Sequence, residues 1–265
     1  MQRERITSPA NPVVRYARSL LRPRVRDRER AFLVEGPRII QDALTAGIVP
    51  RVLFYVPDQL NPAEHSLTNE AAHRGARVVA VTPPILALIT DTVTPQGMVA
   101  IFRLPDLPLA IPKDQAPFFL VLDRIQDPGN VGTILRTALG AGVHAVFLTE
   151  GTADPFAPKV VRAAAGAHFR LPILPLDPAH PDPRILRCAQ RLAAEVKSSH
   201  YYDAIDWTRD TVLVLGSEAH GISSALRPLL TGSVAIPLAG GLESLNVAIA
   251  GAILLFEAAR QRRRR

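Results

Sequence analysis

Four short apolar segments, residues 118–122, 145–149, 211–215 and 233–236, alternate with stretches of helical length in the second half of the chain. Each is apolar at successive positions rather than at alternate ones, so each needs cover on both faces. Buried strands alternating with helices form a parallel sheet with helices packed on either side. An open parallel sheet takes ligands beyond the carboxyl ends of its strands. The loops that follow these segments are therefore where a site is expected.

The first half reads differently. Residues 12–21 can form a basic helix, 31–34 a strand and 36–46 the helix after it. Residues 51–56 and 77–81 are further strands with a polar, helix-compatible stretch between them, and 98–103 is one more. Four prolines then fall within residues 104–117, where they lock φ and remove donors. The expected organisation is a smaller α/β domain over 1–104, a proline-rich linker over 105–117 and a parallel-sheet domain over 118–265.

Three loops carry polar residues in suggestive places. The first runs from Asp127 through Asn130 to Arg136. Asn130 is a candidate helix cap, and Arg136, read as lying within the first two turns, could hold a phosphate near the helix N-terminus. The same residues also describe an ordinary strand-to-helix turn. The second runs from Leu215 to Ser223. Gly216 would let a ligand approach the backbone, and Glu218 is a lone carboxylate at a strand end. Its glycine spacing fits neither a dinucleotide fingerprint nor a P-loop. The third runs from Ile236 to Val247, with Gly240-Gly241 permitting a sharp path. Ser244 and Asn246 stand at the entry to a helix over 247–256 that is apolar almost all round. Such a helix is buried on more than one side, which suggests a subunit interface with Leu254 in it.

Composition excludes several classes. Cys188 is the only cysteine, so neither an intramolecular disulfide nor a multi-cysteine zinc site is available, and no metal is expected. No apolar run is long enough to span a bilayer, and residues 1–5 lack the apolar stretch of a secretory leader. A cytoplasmic protein without a membrane partner is expected. The charge is concentrated at the ends. Residues 1–30 hold nine Arg against three acidic residues, and 256–265 hold five Arg against one. Clustered cations suit a polyanion such as RNA, although only three of the 31 basic residues are Lys, a bias that genome composition can also produce.

Together the three loops resemble the three signature motifs of the SpoU (TrmH-like) RNA 2′-O-methyltransferases of the SPOUT superfamily. They read N-V-G-T-I-L-R-T from Asn130, L-G-S-E-x-x-G-I-S from Leu215 and I-P-x-x-G-x-x-E-S-L-N-V from Ile236, in the family's order and spacing. Pro158–Arg162, Gly166-Ala167 and Arg170–Pro172 match a secondary family stretch, with Ala157 and Ala164 where relatives often carry Asn and Ser. The segment Phe32–Arg38 resembles the substrate-binding domain that precedes the catalytic domain in many members.

The resemblance implies a SPOUT fold in which the C-terminal segment is threaded through a deep trefoil knot. It implies S-adenosylmethionine as methyl donor, held at Gly216, Ile236, Leu238 and Leu245, and a homodimer. Arg136, Asn130, Glu218, Ser244 and Asn246 would form the catalytic set. A guanidinium holds its proton tightly, so Arg136 reads as a clamp on the target phosphate rather than as a base. Glu218 is a candidate proton acceptor or an orienting group. The implied reaction is methylation of a ribose 2′-hydroxyl in structured RNA, ribosomal RNA before tRNA. The alternatives are a tRNA enzyme, a base-methylating relative, or an RNA-binding protein that keeps the fold without the chemistry.

Overall fold

The computed structural model describes residues 4–263; Arg3, Arg264 and Arg265, part of the two basic ends, lie outside them. The chain divides into two units. One holds the chain up to Asp106 and also Phe156–Phe169, and the other holds Leu107–Pro155 and Arg170–Arg265. The division falls inside the proline-rich stretch. Residues 104–117 form no strand or helix, and Leu109 and Ile111 pack on a core of the second unit.

In the first unit, β1 (Arg5–Ile6), β2 (Ala31–Glu35), β3 (Val52–Tyr55), β4 (Arg77–Val81) and β5 (Met98–Arg103) form one sheet in the order β1-β4-β3-β5-β2. β3 is parallel to β4 and β4 to β1, whereas β5 is antiparallel to β2 and β3. Alternate side chains face opposite cores, as the strand period requires. Phe32 and Val34 meet Leu53 and Phe102 on one face; Ala31 and Leu33 meet Phe54 and Val79 on the other. The helices are α1 (Pro12–Ser19), α2 (Pro23–Glu29), α3 (Pro37–Thr45), α4 (Pro62–His73) and α5 (Pro83–Ala87). α3 and α4 cover the first face, and α1, α2 and α5 the second.

In the second unit, β6 (Phe118–Asp123), β7 (Ala145–Thr149), β8 (Ile173–Leu176), β9 (Gln190–Ala194), β10 (Thr211–Gly216) and β11 (Gly232–Val234) form a sheet ordered β11-β9-β10-β6-β7-β8. Every pairing in it is parallel. The remaining helices are α6 (Pro128–Gly140), α7 (Pro158–Ala164), α8 (Pro183–Arg187) and α9 (Val247–Arg262). α7 belongs to the first unit, where flanking Phe156 and Phe169 pack against Phe32 and Phe102 with ring centroids 5.1 and 4.9 Å apart.

Helices α1 to α8 each carry a proline at their start. Proline suits the first helical turn because its missing N–H has no intrahelical partner there and its φ is already helical. Much of the proline content therefore marks helix starts. Strands β1, β8 and β9 lack the long apolar signature of their neighbours. β8 carries Pro175 and sits at the sheet edge, the place where a missing ladder donor is tolerated.

α9 packs against α6 and β10. A Cβ on Gly251 would lie 2.8 Å from Leu215 Cδ1, so glycine lets the helix come this close. Leu254 is 1% exposed within its own chain, which corrects its reading as an interface residue. The apolar residues that α9 leaves outside are Ile249 and Phe256, 54% and 48% exposed. An all-round apolar pattern does not say which side meets the core.

Candidate active site

β6 and β10 are hydrogen-bonded neighbours, so the first two motif loops leave the sheet side by side. The third enters α9, which packs against α6 and β10. Asn130 Nδ2 donates to Glu218 Oε1 at 2.5 Å, Asn246 Nδ2 donates to Asn130 Oδ1 at 3.1 Å, and Asn246 Nδ2 reaches Glu218 Oε1 at 3.4 Å. One residue from each loop thus meets in a single hydrogen-bonded triangle. Among the described residues no hydrogen bond engages the second oxygen of the exposed Glu218.

Beside this triangle opens a cavity of about 490 Å³, within the range of small-molecule sites. Leu215, Ile222, Val234, Ile236, Leu238, Leu245 and Leu254 give it apolar walls. Gly216, Ser217, Glu218, Gly221 and Ser244 supply backbone and polar edges. Gly216, Ile236, Leu238 and Leu245, singled out as cofactor contacts, all line it. Ser244 lines it too, rather than joining the triangle. Apolar walls for a flat base, with a polar rim for a charged tail, fit the chemistry of an adenosyl amino acid.

Arg136 stands apart. It is exposed on α6, lines no part of the cavity, and its side chain makes no hydrogen bond or ion pair among the described residues. α6 begins at Pro128 and has 13 residues, so Arg136 is its ninth and lies beyond the first two turns. Its backbone therefore lies about 12 Å along the axis from the first helical residue, and not within the first two turns as the sequence suggested. The cap is Asp127, whose carboxylate accepts Asn130 N–H at 2.7 Å. Asn130 does not cap the helix; its side chain is free for the triangle. Pro128 at the first helical position is the sequence signal that identifies Asp127 as the cap. Asn246 does cap α9, accepting Ala248 N–H at 2.9 Å and Ile249 N–H at 3.3 Å.

Gly216 is required for a reason internal to the loop. A Cβ there would come within 2.5 Å of the Gly221 carbonyl carbon and 2.7 Å of Ile222 N. The loop folds back on its own strand, with Gly221 N–H donating to Ser217 O at 2.7 Å. Sequence reasoning missed the end of β9 and the residues after it: Ala194, Glu195, Val196 and Lys197 all line the cavity. The polar start of β9 hid the strand, and with it the loop. Among the described residues no group of three or more His, Cys, Asp or Glu could hold a metal ion, and no helix is long and apolar enough to cross a membrane.

Residues 117–256 match the SpoU rRNA methylase family, and residues 11–100 match the MRM3-like substrate binding domain. An uncharacterised tRNA/rRNA methyltransferase of Synechocystis sp. is 36% identical over 97% of this chain and 93% of its own length. The 23S rRNA (guanosine(2553)-2′-O)-methyltransferase of Bacillus subtilis is 32% identical over 96% of this chain and 98% of its own. The crystal structure of an AdoMet-bound rRNA methyltransferase from Sinorhizobium meliloti superposes with a TM-score of 0.83 at 34% identity, covering 98% of each chain.

Proposed function

The chain belongs to the SpoU rRNA methylase family, and from that premise we propose how its residues divide the work of methylating a ribose 2′-hydroxyl of ribosomal RNA. The observation that carries the reading is the meeting of Asn130, Glu218 and Asn246 beside a cavity walled by Gly216, Ile236, Leu238 and Leu245. S-adenosylmethionine would occupy that cavity and supplies an electrophilic methyl group on a sulfonium.

The triangle orients Glu218. Two amide donors hold one carboxylate oxygen, which leaves the other directed to a ribose hydroxyl. The 2′-oxygen forms its bond to the methyl carbon as the carbon–sulfur bond breaks, and Glu218 takes the hydroxyl proton. Arg136 clamps a phosphate of the target nucleotide as a point of positioning, from its exposed place on α6. Holding the reacting groups in line can account for ~7–11 kcal/mol of barrier lowering, more than a single proton acceptor supplies. Ser244 forms the cavity edge.

Three further features belong to this reading. The N-terminal unit, whose residues 11–100 match a substrate-binding domain, recognises RNA. The chain forms a homodimer through α9, a reading supported by exposed Ile249 and Phe256 seven positions apart. The C-terminal segment is threaded as a trefoil knot; its support is the return of the chain from β11, at the sheet edge, to place Leu245 and α9 beside Leu215 and Gly216. Ribosomal RNA as substrate is consistent with a cytoplasmic enzyme.

The test is transfer of labelled methyl from S-adenosylmethionine to unmodified ribosomal RNA, followed by nucleoside analysis. Label in a 2′-O-methylnucleoside is expected, and loss of it in Glu218→Gln. Label in a base would make this a base methyltransferase. No transfer to ribosomal RNA, but transfer to tRNA, would overturn the substrate.

A further inference from the structure

We propose that Asp123, outside all three motifs, is the positioning residue of the loop 216–223 and through it of the cavity. The proposal rests on that cavity being the S-adenosylmethionine site.

Asp123 is the last residue of β6 and is 1% exposed. Oδ2 accepts the Ser223 backbone N–H at 2.6 Å, and Oδ1 accepts the Thr149 hydroxyl at 2.9 Å. The nearest cationic nitrogen, Arg124 Nε, is 3.7 Å away. A buried carboxylate is unfavourable unless its oxygens are bonded, and here the bonds run to the end of β7 and to the far end of the loop that follows β10.

The near end of the loop needs no such help. Gly216 pairs with Asp123 in the β10–β6 register, and the Ser217–Gly221 bridge folds the loop back. Beyond Gly221 the chain must be brought down to the sheet so that Ile222 can bury its side chain and wall the cavity. The Ser223 N–H is the point of attachment, and Asp123 is the group that receives it. Ser223 O in turn accepts Leu226 and Arg227 N–H, so the next turn starts from the pinned residue. Gly216, Ser217, Glu218, Gly221 and Ile222 all line the cavity. One carboxylate therefore fixes the cavity wall at Ile222 and the far end of the loop whose near end carries Glu218.

The test uses the full chain and three variants: Asp123→Ala, Asp123→Asn and Thr149→Val. Calorimetry measures S-adenosylmethionine affinity, and amide hydrogen exchange measures Ser223 N–H protection. A hydrogen bond to a charged group is worth about a tenfold change or more in an equilibrium. Asp123→Ala is expected to weaken cofactor affinity by about tenfold or more and to release the Ser223 amide to fast exchange. Asp123→Asn keeps the shape and one acceptor, so a loss of only a few-fold is expected, roughly half the effect in free-energy terms. Thr149→Val leaves the Ser223 bond in place and should bind the cofactor as wild type, whatever it does to the melting temperature.

If Asp123→Ala does not fold, Asp123→Asn decides: wild-type affinity together with wild-type Ser223 protection in that variant overturns the proposal. So does a Thr149→Val loss as large as that of Asp123→Ala, which would make the effect general loosening of the sheet end. If wild type itself fails to bind S-adenosylmethionine, the functional reading fails instead. The exchange rate of Ser223 still tests whether Asp123 pins the loop.

Discussion

Asn246 Nδ2 donates to Asn130 Oδ1 at 3.1 Å, across a sequence separation of 116 residues. The oxygen of the same Asn246 amide caps α9. One side chain thus starts the C-terminal helix and closes the triangle around Glu218. Its two ends do different jobs, and the two can be separated by substitution.

Asn246→Asp keeps an acceptor for the cap, removes the donor, and sets a second carboxylate beside Glu218. Thermal stability should change little, while methyl transfer falls by at least an order of magnitude, about 1.4 kcal/mol of barrier. Asn246→Ala should lose activity and also about 1 kcal/mol of stability with the cap. Melting curves and transfer rates on the same samples check this. Full turnover in the Asp variant would remove Asn246 from the reacting set.

Arg136→Ala should abolish methylation with no loss of stability or cofactor affinity, because the side chain is exposed and touches neither core nor cavity. Arg136→Lys should restore little, since a planar fork and a point charge do not bind phosphate alike. Turnover within a few-fold of wild type in Arg136→Ala would end the clamp assignment.

Gly216→Ala is expected to disturb the loop before it disturbs any ligand. The new Cβ would meet Gly221 backbone at 2.5 Å, and backbone cannot swing aside as a side chain can. Both the melting temperature and S-adenosylmethionine affinity should fall together. An unchanged melting point with lost affinity would mean that the methyl instead fills the ligand's space.

The exposed and buried sides of α9 make opposite predictions. Ile249→Arg and Phe256→Arg should convert a dimer to monomers in sedimentation while leaving the fold intact. Leu254→Arg should leave the dimer in place but lower both stability and S-adenosylmethionine affinity, because Leu254 is buried in its own protomer and walls the cavity. A wild-type monomer at micromolar concentration would dispose of the interface.

RNA recognition by the N-terminal unit is better tested by substitution than by truncation. Residues 107–265 alone would still carry Phe156–Phe169, which belong to the other unit, so Phe156 and Phe169 would lose Phe32 and Phe102 as neighbours. That fragment is expected to aggregate. Exposed Arg15, Arg18, Arg22 and Arg24 can instead be changed to Gln in the full chain. If all four meet phosphates, the slope of log affinity against log salt should flatten by roughly three units. An unchanged slope would assign their charge to composition rather than to binding.

The sequence by itself determined the parallel sheet, the three loops at its strand ends and the family. These are written locally: apolar runs of strand length, turn residues at fixed offsets, and motifs that read the same wherever the chain goes. It also holds Pro128, whose place at the first helical position makes Asp127 the cap of α6. Tertiary structure alone decided which polar groups would meet. Asn130 bonds Glu218 and Asn246 because β6, β10 and α9 are neighbours, and no local pattern states that adjacency. The same holds for Leu254, turned inward, and for Phe156–Phe169, built into the first unit from the second half of the chain. It holds most plainly for Asp123, which as a sequence is only the residue after an apolar run. Its partners, Thr149 and the Ser223 amide, come to it from the end of β7 and from the loop after β10. A buried polar group is defined by what satisfies it, and those partners are assigned in space, not along the chain.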